Sequence, residues 1–281
     1  MEKVRPMSND VARPGPRPDR LYSAYIFDLD GTVYLGDALL PSAAETIQHL
    51  RGLGKRTLFL SNNPTKTRES QAALLSRLGL PTPPQDVLNS TLVMADFLQR
   101  RLPGGRLFVI GEQPLQEVLA GAGFELADDA AVDAVVVSFD RTFVYRKLQI
   151  AFDAIRGGAA FFATNGDKFC PVPGGGEPDA AALIAAIEAC TDVQVEAIVG
   201  KPSAIMAAAA LRLLDLPPAE CLMTGDRLET DVLMGLDAGM AAALTLTGAT
   251  SAAQAAASPI RPTYVVEQLG ELVGGIVTSN E

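Results

Sequence analysis

A chain of 281 residues with 33 acidic and 23 basic side chains, a net charge of −10 and 48% apolar residues is long enough for two cores and apolar enough to fill them. The acidic balance excludes general attraction to nucleic acid or an anionic membrane, so an anionic substrate has to be drawn in by a local cationic site. One histidine, His49, and three scattered cysteines, Cys170, Cys190 and Cys221, argue against a serine–histidine hydrolase, a zinc enzyme and a disulfide framework, and a reducing cytoplasm is the expected setting.

Residues 1–20 contain four prolines and no apolar segment; they read as a disordered tail, not a signal peptide. No apolar run approaches the roughly 18 residues of a membrane span. Ala24 to Phe27 is a buried strand that breaks at Asp28-Leu29-Asp30-Gly31. Pro41 to Leu53 has helical spacing, with Ser42 as N-cap and Glu45 three residues on. Thr57 to Leu60 is a second strand, ending in Ser61-Asn62-Asn63-Pro64, and helices are predicted over 65–79 and 86–101. Leu107 to Ile110, Ala134 to Phe139 and Ala160 to Ala163 read as strands separated by helices. Ile198-Val199 ends at Gly200-Lys201-Pro202, before a helix over 203–215. Cys221 to Thr224 ends at Gly225-Asp226, before a helix reaching about Ala238. Ala241 to Leu246 and Thr263 to Val266 are the last strands. Short apolar strands alternating with helices predict a doubly wound α/β fold, a parallel sheet covered on both faces.

Several of these apolar runs stop at a small polar cluster: Asp28 and Asp30, Ser61 and Asn62, Lys201, Asp226 and Asp231. Ligands of open parallel sheets bind outside the carboxyl ends of the strands, so neighbouring tips would converge on one pocket. Asp28, Asp30 and Asp226 offer hard oxygen ligands suited to Mg²⁺. Lys201, Ser61 and the amides around Asn62 would complete a site for a phosphoryl group. One carboxylate could attack phosphorus and a second, two residues away, could serve as acid and base.

Asp28-Leu29-Asp30-Gly31-Thr32-Val33 resembles the first motif of the haloacid dehalogenase superfamily, DxDGT. Ser61, Lys201 and Gly225-Asp226-Arg227-Leu228-Glu229-Thr230-Asp231 resemble its second, third and fourth motifs, in order. The wording is similar to the NagD, p-nitrophenylphosphatase and phosphoglycolate phosphatase branch, over about residues 21–275. The resemblance implies a Rossmann-like core over 21–101 and 196–281, with an inserted α/β cap over 102–195. It implies a Mg²⁺-dependent phosphatase of small phosphorylated metabolites, and dimers formed through the cap. Asp28 would be the nucleophile and Asp30 the general acid and base. The side chains of Asp28 and Asp226 and the Asp30 carbonyl would hold the metal, supported by Asp231, while Ser61, the Asn62 region and Lys201 would bind phosphate. In the cap, Asp140, Arg141, Asn165 and Asp167 are candidates for contacts to the leaving group, or else exposed turn residues.

Each residue also has a plainer reading. An aspartate at a strand end commonly forms a turn or caps a helix. Lys201 would be poorly placed at a helix start, where the dipole is positive, which favours anion binding for it. Arg227 reads as structural, His49 as non-catalytic, the cysteines as small hydrophobes, and Gly174-Gly175-Gly176 as a cap loop without a phosphate-binding pattern. The alternative functions are a phosphotransferase or phosphomutase using the same intermediate, and a metabolite-binding protein without turnover. A receiver domain has no use for the large insert.

Overall fold

A computed structural model describes residues 15–172 and 175–273. In chain order it begins with β1 (Ala24–Asp28), the hairpin strands β2 (Tyr34–Leu35) and β3 (Ala38–Leu39), α1 (Ala43–Gly52), β4 (Arg56–Ser61), α2 (Arg68–Arg77), β5 (Val87–Asn89) and α3 (Ser90–Arg101). Then come β6 (Arg106–Ile110), α4 (Gln113–Gly121), β7 (Glu125–Leu126), β8 (Ala134–Val137), α5 (Tyr145–Arg156), β9 (Ala160–Ala163), β10 (Phe169–Val172), β11 (Gly175–Pro178), α6 (Ala180–Thr191) and β12 (Ala197–Ile198). The last part holds α7 (Ala204–Leu214), β13 (Cys221–Gly225), a wide π turn (Leu228–Val232) running into α8 (Leu233–Asp237), β14 (Ala241–Thr245), α9 (Ala252–Ala257) and β15 (Tyr264–Val266).

The first sheet is parallel, in the order β15-β14-β13-β1-β4-β5. From β1 the chain moves outward through β4 and β5, then returns beside β1 as β13 and moves outward the other way. The strand order therefore reverses between β1 and β13, where an open α/β sheet forms its ligand crevice. Every residue of β1 is buried, as a central strand covered on both faces requires. Ala24 and Ile26 face a core shared with α3 and α7, while Tyr25 and Phe27 face α1 and α2.

The second sheet, β12-β9-β8-β6-β7, is also parallel. One face packs on α5 and α6. Residues of its other face, including Val109 and Phe162, belong to the same apolar cluster as Ile26 and Met94 of the core. Phe97 of α3 meets Phe162 of β9 edge-on at 5.2 Å, so α3 is wedged between the two sheets. This is the doubly wound core with an inserted α/β cap. Ala197–Ile198, placed with the core by the sequence reading, pair with β9 and so belong to the second sheet.

Other details differ from expectation. The helix predicted from 86 begins at Ser90, because Val87–Asn89 is a buried edge strand in register with Phe59–Ser61. Ser42 makes no cap hydrogen bond; it lies at φ 62° and its hydroxyl accepts from Gly270 N at 2.8 Å. Residues 15–20, expected to be tail, are instead attached to the core: Val265 N donates to Pro16 O at 3.1 Å and Arg17 pairs with Glu271 at 2.6 Å. β15 is an edge strand, and this segment covers it. Residues 1–14 and Gly174 lie outside the described residues. Cys221 is buried as expected of a small hydrophobe, whereas Cys190 is exposed on α6.

Candidate active site

The carboxyl ends of β1, β4 and β13 meet the loop before α7 in one buried polar cluster. Asp28 ends β1 and Asp226 follows β13. Lys201, only 4% exposed, places its ammonium against both Asp28 Oδ1 and Asp231 Oδ1, the latter at 2.6 Å. Asp231 reaches the cluster through the π turn, which packs its Cβ so closely on Gly225 that a side chain there would clash. Its other oxygen accepts from Arg227 N at 3.1 Å, so both of its oxygens are engaged.

Asp226 Oδ2 accepts from Ala249 N at 2.6 Å. The loop after β14 closes over this carboxylate, and Thr247 Oγ1 donates to Gly31 O at 2.7 Å. Gly31, at φ +86°, and Gly248 leave room for Asp226: a Cβ at Gly248 would stand 2.0 Å from Asp226 Oδ2 and 2.7 Å from its Cβ. The second contact cannot be relieved by swinging the carboxylate. Gly248→Ala is therefore expected to displace Asp226 and to weaken the affinity of a divalent cation held by that carboxylate by about 10- to 100-fold, read by metal titration. Unchanged affinity would mean that the loop does not set the carboxylate.

Electrostatics follow from three buried carboxylates sharing one ammonium. Burial pushes the Asp28 carboxyl well above its ordinary value; Lys201 opposes the rise, and Asp231 and Asp226 add to it. Asp226 is pushed up to about 6, by burial first and then by Asp231. Burial alone would lower the pKa of Lys201, but Asp231 and Asp28 outweigh it and keep the group an ammonium. Asp30 is exposed at the mouth, yet the surrounding protein excludes enough water to raise its carboxyl, against the opposing influence of Lys66, Tyr34, Lys201 and Arg227.

The residues fit a divalent cation. Asp28, Asp226 and Asp231 each offer an oxygen, all within 4.8 Å of one another. Among the described residues, Asp226 Oδ1 is buried without a hydrogen-bond partner. Such an oxygen is costly unless a cation satisfies it, and an all-oxygen donor set suits Mg²⁺.

The remaining candidates separate into two groups. Ser61 is buried at the tip of β4, where its Oγ accepts from Asn63 N at 3.1 Å. The Asn62 side chain is otherwise occupied: Oδ1 accepts from Lys201 N at 2.8 Å, and Nδ2 donates to Lys201 O at 3.1 Å and to Asp167 Oδ2 at 3.0 Å. That leaves only its main chain for a phosphate. Asp167 is the cap candidate brought to the core, touching Asn62 and standing 4.0 Å from Arg227 Nη1. Asn165 is buried behind it, donating to Asp167 and Asp179. Asp140 is turned into the cap, accepting from Thr142 and pairing with Lys147. Arg141 holds Glu112 through two bonds of 2.7 and 2.8 Å.

Sequence reasoning missed Tyr34, whose hydroxyl donates to Asp30 Oδ2 at 3.2 Å, and Lys66, whose ammonium lies 5.9 Å from the Tyr34 ring centroid. It also missed the loop Thr247 to Ala249. Arg227, read as structural, acts on the charges of Asp30 and Asp226. The signal for Tyr34 was its place four residues after Asp30; Lys66 and the loop left none.

A switch-point crevice lined by carboxylates and a buried lysine defines a class, and comparison gives it a name. The sequence model described as haloacid dehalogenase-like hydrolase matches residues 25–125, and a second HAD hydrolase-like model matches 198–272. The chain belongs to the haloacid dehalogenase-like hydrolases. Among its relatives it is 38% identical to the sugar-phosphatase AraL of Bacillus subtilis, over 88% of this chain and 90% of that one. It is 33% identical to an acid sugar phosphatase of Staphylococcus aureus, over 90% and 97%. The structure of 4-nitrophenylphosphatase from Thermotoga maritima superposes with a TM-score of 0.86 at 33% identity, covering 89% of this chain and 96% of that one. NagD from Escherichia coli K-12 does so with 0.83 at 30%, covering 90% and 98%. Within its family the chain is a phosphatase.

Proposed function

We propose that the chain is a Mg²⁺-dependent phosphomonoester hydrolase of small phosphorylated metabolites, of the sugar-phosphate, phosphoglycolate or p-nitrophenyl phosphate type, acting through an aspartyl-phosphate on Asp28. The observation that carries the reading is the buried Lys201 held between Asp28 and Asp231, beside an Asp226 oxygen that lacks a partner among the described residues. The names of the similar proteins support the substrate class.

Asp28 Oδ attacks phosphorus as the bond to the leaving oxygen breaks. Asp30 donates a proton to that oxygen, for which a raised carboxyl is suited. A water oxygen then attacks phosphorus, its proton passing to Asp30, and the Asp28 carboxylate is released. Lys201 and Ser61 hold the phosphoryl oxygens throughout, and Asp231 keeps the Lys201 ammonium aimed at them. Mg²⁺, which the side chains of Asp28 and Asp226 and the Asp30 carbonyl would hold with Asp231 in support, supplies further neutralisation of phosphoryl charge when bound. Asp167, which accepts from Asn62 of the core, is our candidate for the cap group that meets the alcohol part of the substrate.

Phosphate release from p-nitrophenyl phosphate and a panel of sugar phosphates, phosphoglycolate and glycerol phosphate, with and without Mg²⁺, tests the reading. Metal-dependent release is expected. No release from any compound by folded, Mg²⁺-loaded protein would replace it with a transferase or a binding protein, and transfer to an added acceptor alcohol would identify the former.

Metal and pH are linked through Asp226. Burial and the Asp231 charge push its carboxyl up to about 6 in the folded chain, against an ordinary value of about 4. A raised carboxyl contributes stability that is fully present below the unfolded value and is lost as pH rises through the folded one. Metal-stripped protein is therefore expected to lose up to about 3 kcal/mol between pH 4 and 7 from this group, and Mg²⁺ to restore most of it at pH 7. Denaturant titrations across that window check it. Equal stability with and without Mg²⁺ at pH 7 would remove Asp226 from the metal site.

A further inference from the structure

Tyr34 belongs to none of the four motif clusters, yet the fold folds it back onto Asp30 at two levels. In the main chain, Gly31 N donates to Tyr34 O at 2.8 Å, Tyr34 N donates to Leu29 O at 3.2 Å, and Asp30 and Tyr34 form an isolated bridge. In the side chains, the Tyr34 hydroxyl donates to Asp30 Oδ2 at 3.2 Å. The ring is 1% exposed and packs in the cluster that includes Leu29 and Val33, so the hydroxyl is a fixed point. Burial, with the charges of Asp30 and Asp28, pushes its own ionisation upward, so that it remains a donor. Asp30 itself is exposed.

We propose that Tyr34 is a positioning residue for proton transfer to the leaving group: its hydroxyl holds Asp30 Oδ2, which leaves Oδ1 to carry the proton toward the departing oxygen. The inference rests on the reading of Asp30 as general acid. As the bond from phosphorus to the leaving oxygen breaks and the Asp28 oxygen–phosphorus bond forms, the Oδ1 proton passes to the leaving oxygen; Tyr34 keeps its own proton. A misoriented Asp30 therefore matters in proportion to how much the leaving group needs that proton. An alkoxide needs it, whereas p-nitrophenolate departs with little help.

The test compares kcat/KM for glucose 6-phosphate and p-nitrophenyl phosphate in wild type, Tyr34→Phe and Asp30→Asn. This parameter reports the steps up to transfer onto Asp28, before water enters. The sugar-to-aryl ratio is expected to fall about tenfold in Tyr34→Phe and further in Asp30→Asn. Because both substrates are measured on one preparation, partial unfolding lowers both values and leaves the ratio unchanged. A ratio that falls in Asp30→Asn but not in Tyr34→Phe overturns the role given to Tyr34 and leaves the acid reading standing. A ratio unchanged in Asp30→Asn overturns the acid reading, and this inference with it.

Discussion

Asp28→Asn is expected to lower kcat by about 10⁴-fold or more, since it removes the proposed nucleophile while keeping its shape. The same change should leave the metal-free fold as stable as wild type or more so. Three carboxylates share one ammonium in the site, and the raised pKa of Asp28 means that its ionised form is disfavoured in the folded chain relative to the unfolded one. Asparagine removes that charge and leaves Lys201 paired with Asp231. Phosphate release and thermal melting with and without Mg²⁺ read the two effects together. Loss of turnover with an unchanged or raised melting temperature is expected, the pattern of a site in which function costs stability. Residual turnover within about tenfold of wild type would place the nucleophile elsewhere.

Lys201→Met is expected to act in the opposite sense on stability. Lys201 is buried and is the cation that Asp28 and Asp231 both contact. Without it two buried carboxylates lose their partner, a change that costs about 3–5 kcal/mol when a buried pair is broken. Activity should fall by about 10²- to 10³-fold as well, if the ammonium also stabilises charge on the phosphoryl group as proposed. Adding Asp28→Asn to Lys201→Met should recover part of the lost stability, since one uncompensated charge is then gone. Denaturant titration of both single variants and the double variant measures this coupling. Additive losses would show that Lys201 and Asp28 do not share one electrostatic cluster.

The family and the doubly wound architecture were legible because their signals are local. An apolar run that breaks at Asp28-Leu29-Asp30-Gly31, and another that breaks at Gly225-Asp226, announce strands whose tips carry carboxylates. The same rule failed where packing overrode it. Val87-Leu88-Asn89 continues a helical pattern but is buried as an edge strand beside β4, with Asn89 capping α3 through Leu92 N. Ser42 has the composition of an N-cap, yet Gly270, far along the chain, takes its hydroxyl. Asp140, Arg141, Asn165 and Asp167 look equivalent in sequence. Only the folded chain shows that Asp167 reaches Asn62 while Asp140 is spent on Lys147 and Arg141 on Glu112.

By itself the sequence determined which residues end the strands, that the site would be rich in carboxylate and poor in imidazole, and that phosphoryl chemistry suited it. These follow from composition and from apolar periodicity, which act over a few residues. Tertiary structure alone decided that Lys201 lies between Asp28 and Asp231, that Asp226 keeps one oxygen without a partner among the described residues beneath the Gly248 loop, and that Tyr34 holds Asp30. Most of those contacts join residues far apart in the chain. Their geometry is set by how strand order reverses between β1 and β13 and by the dense packing around that crevice, which no local pattern encodes.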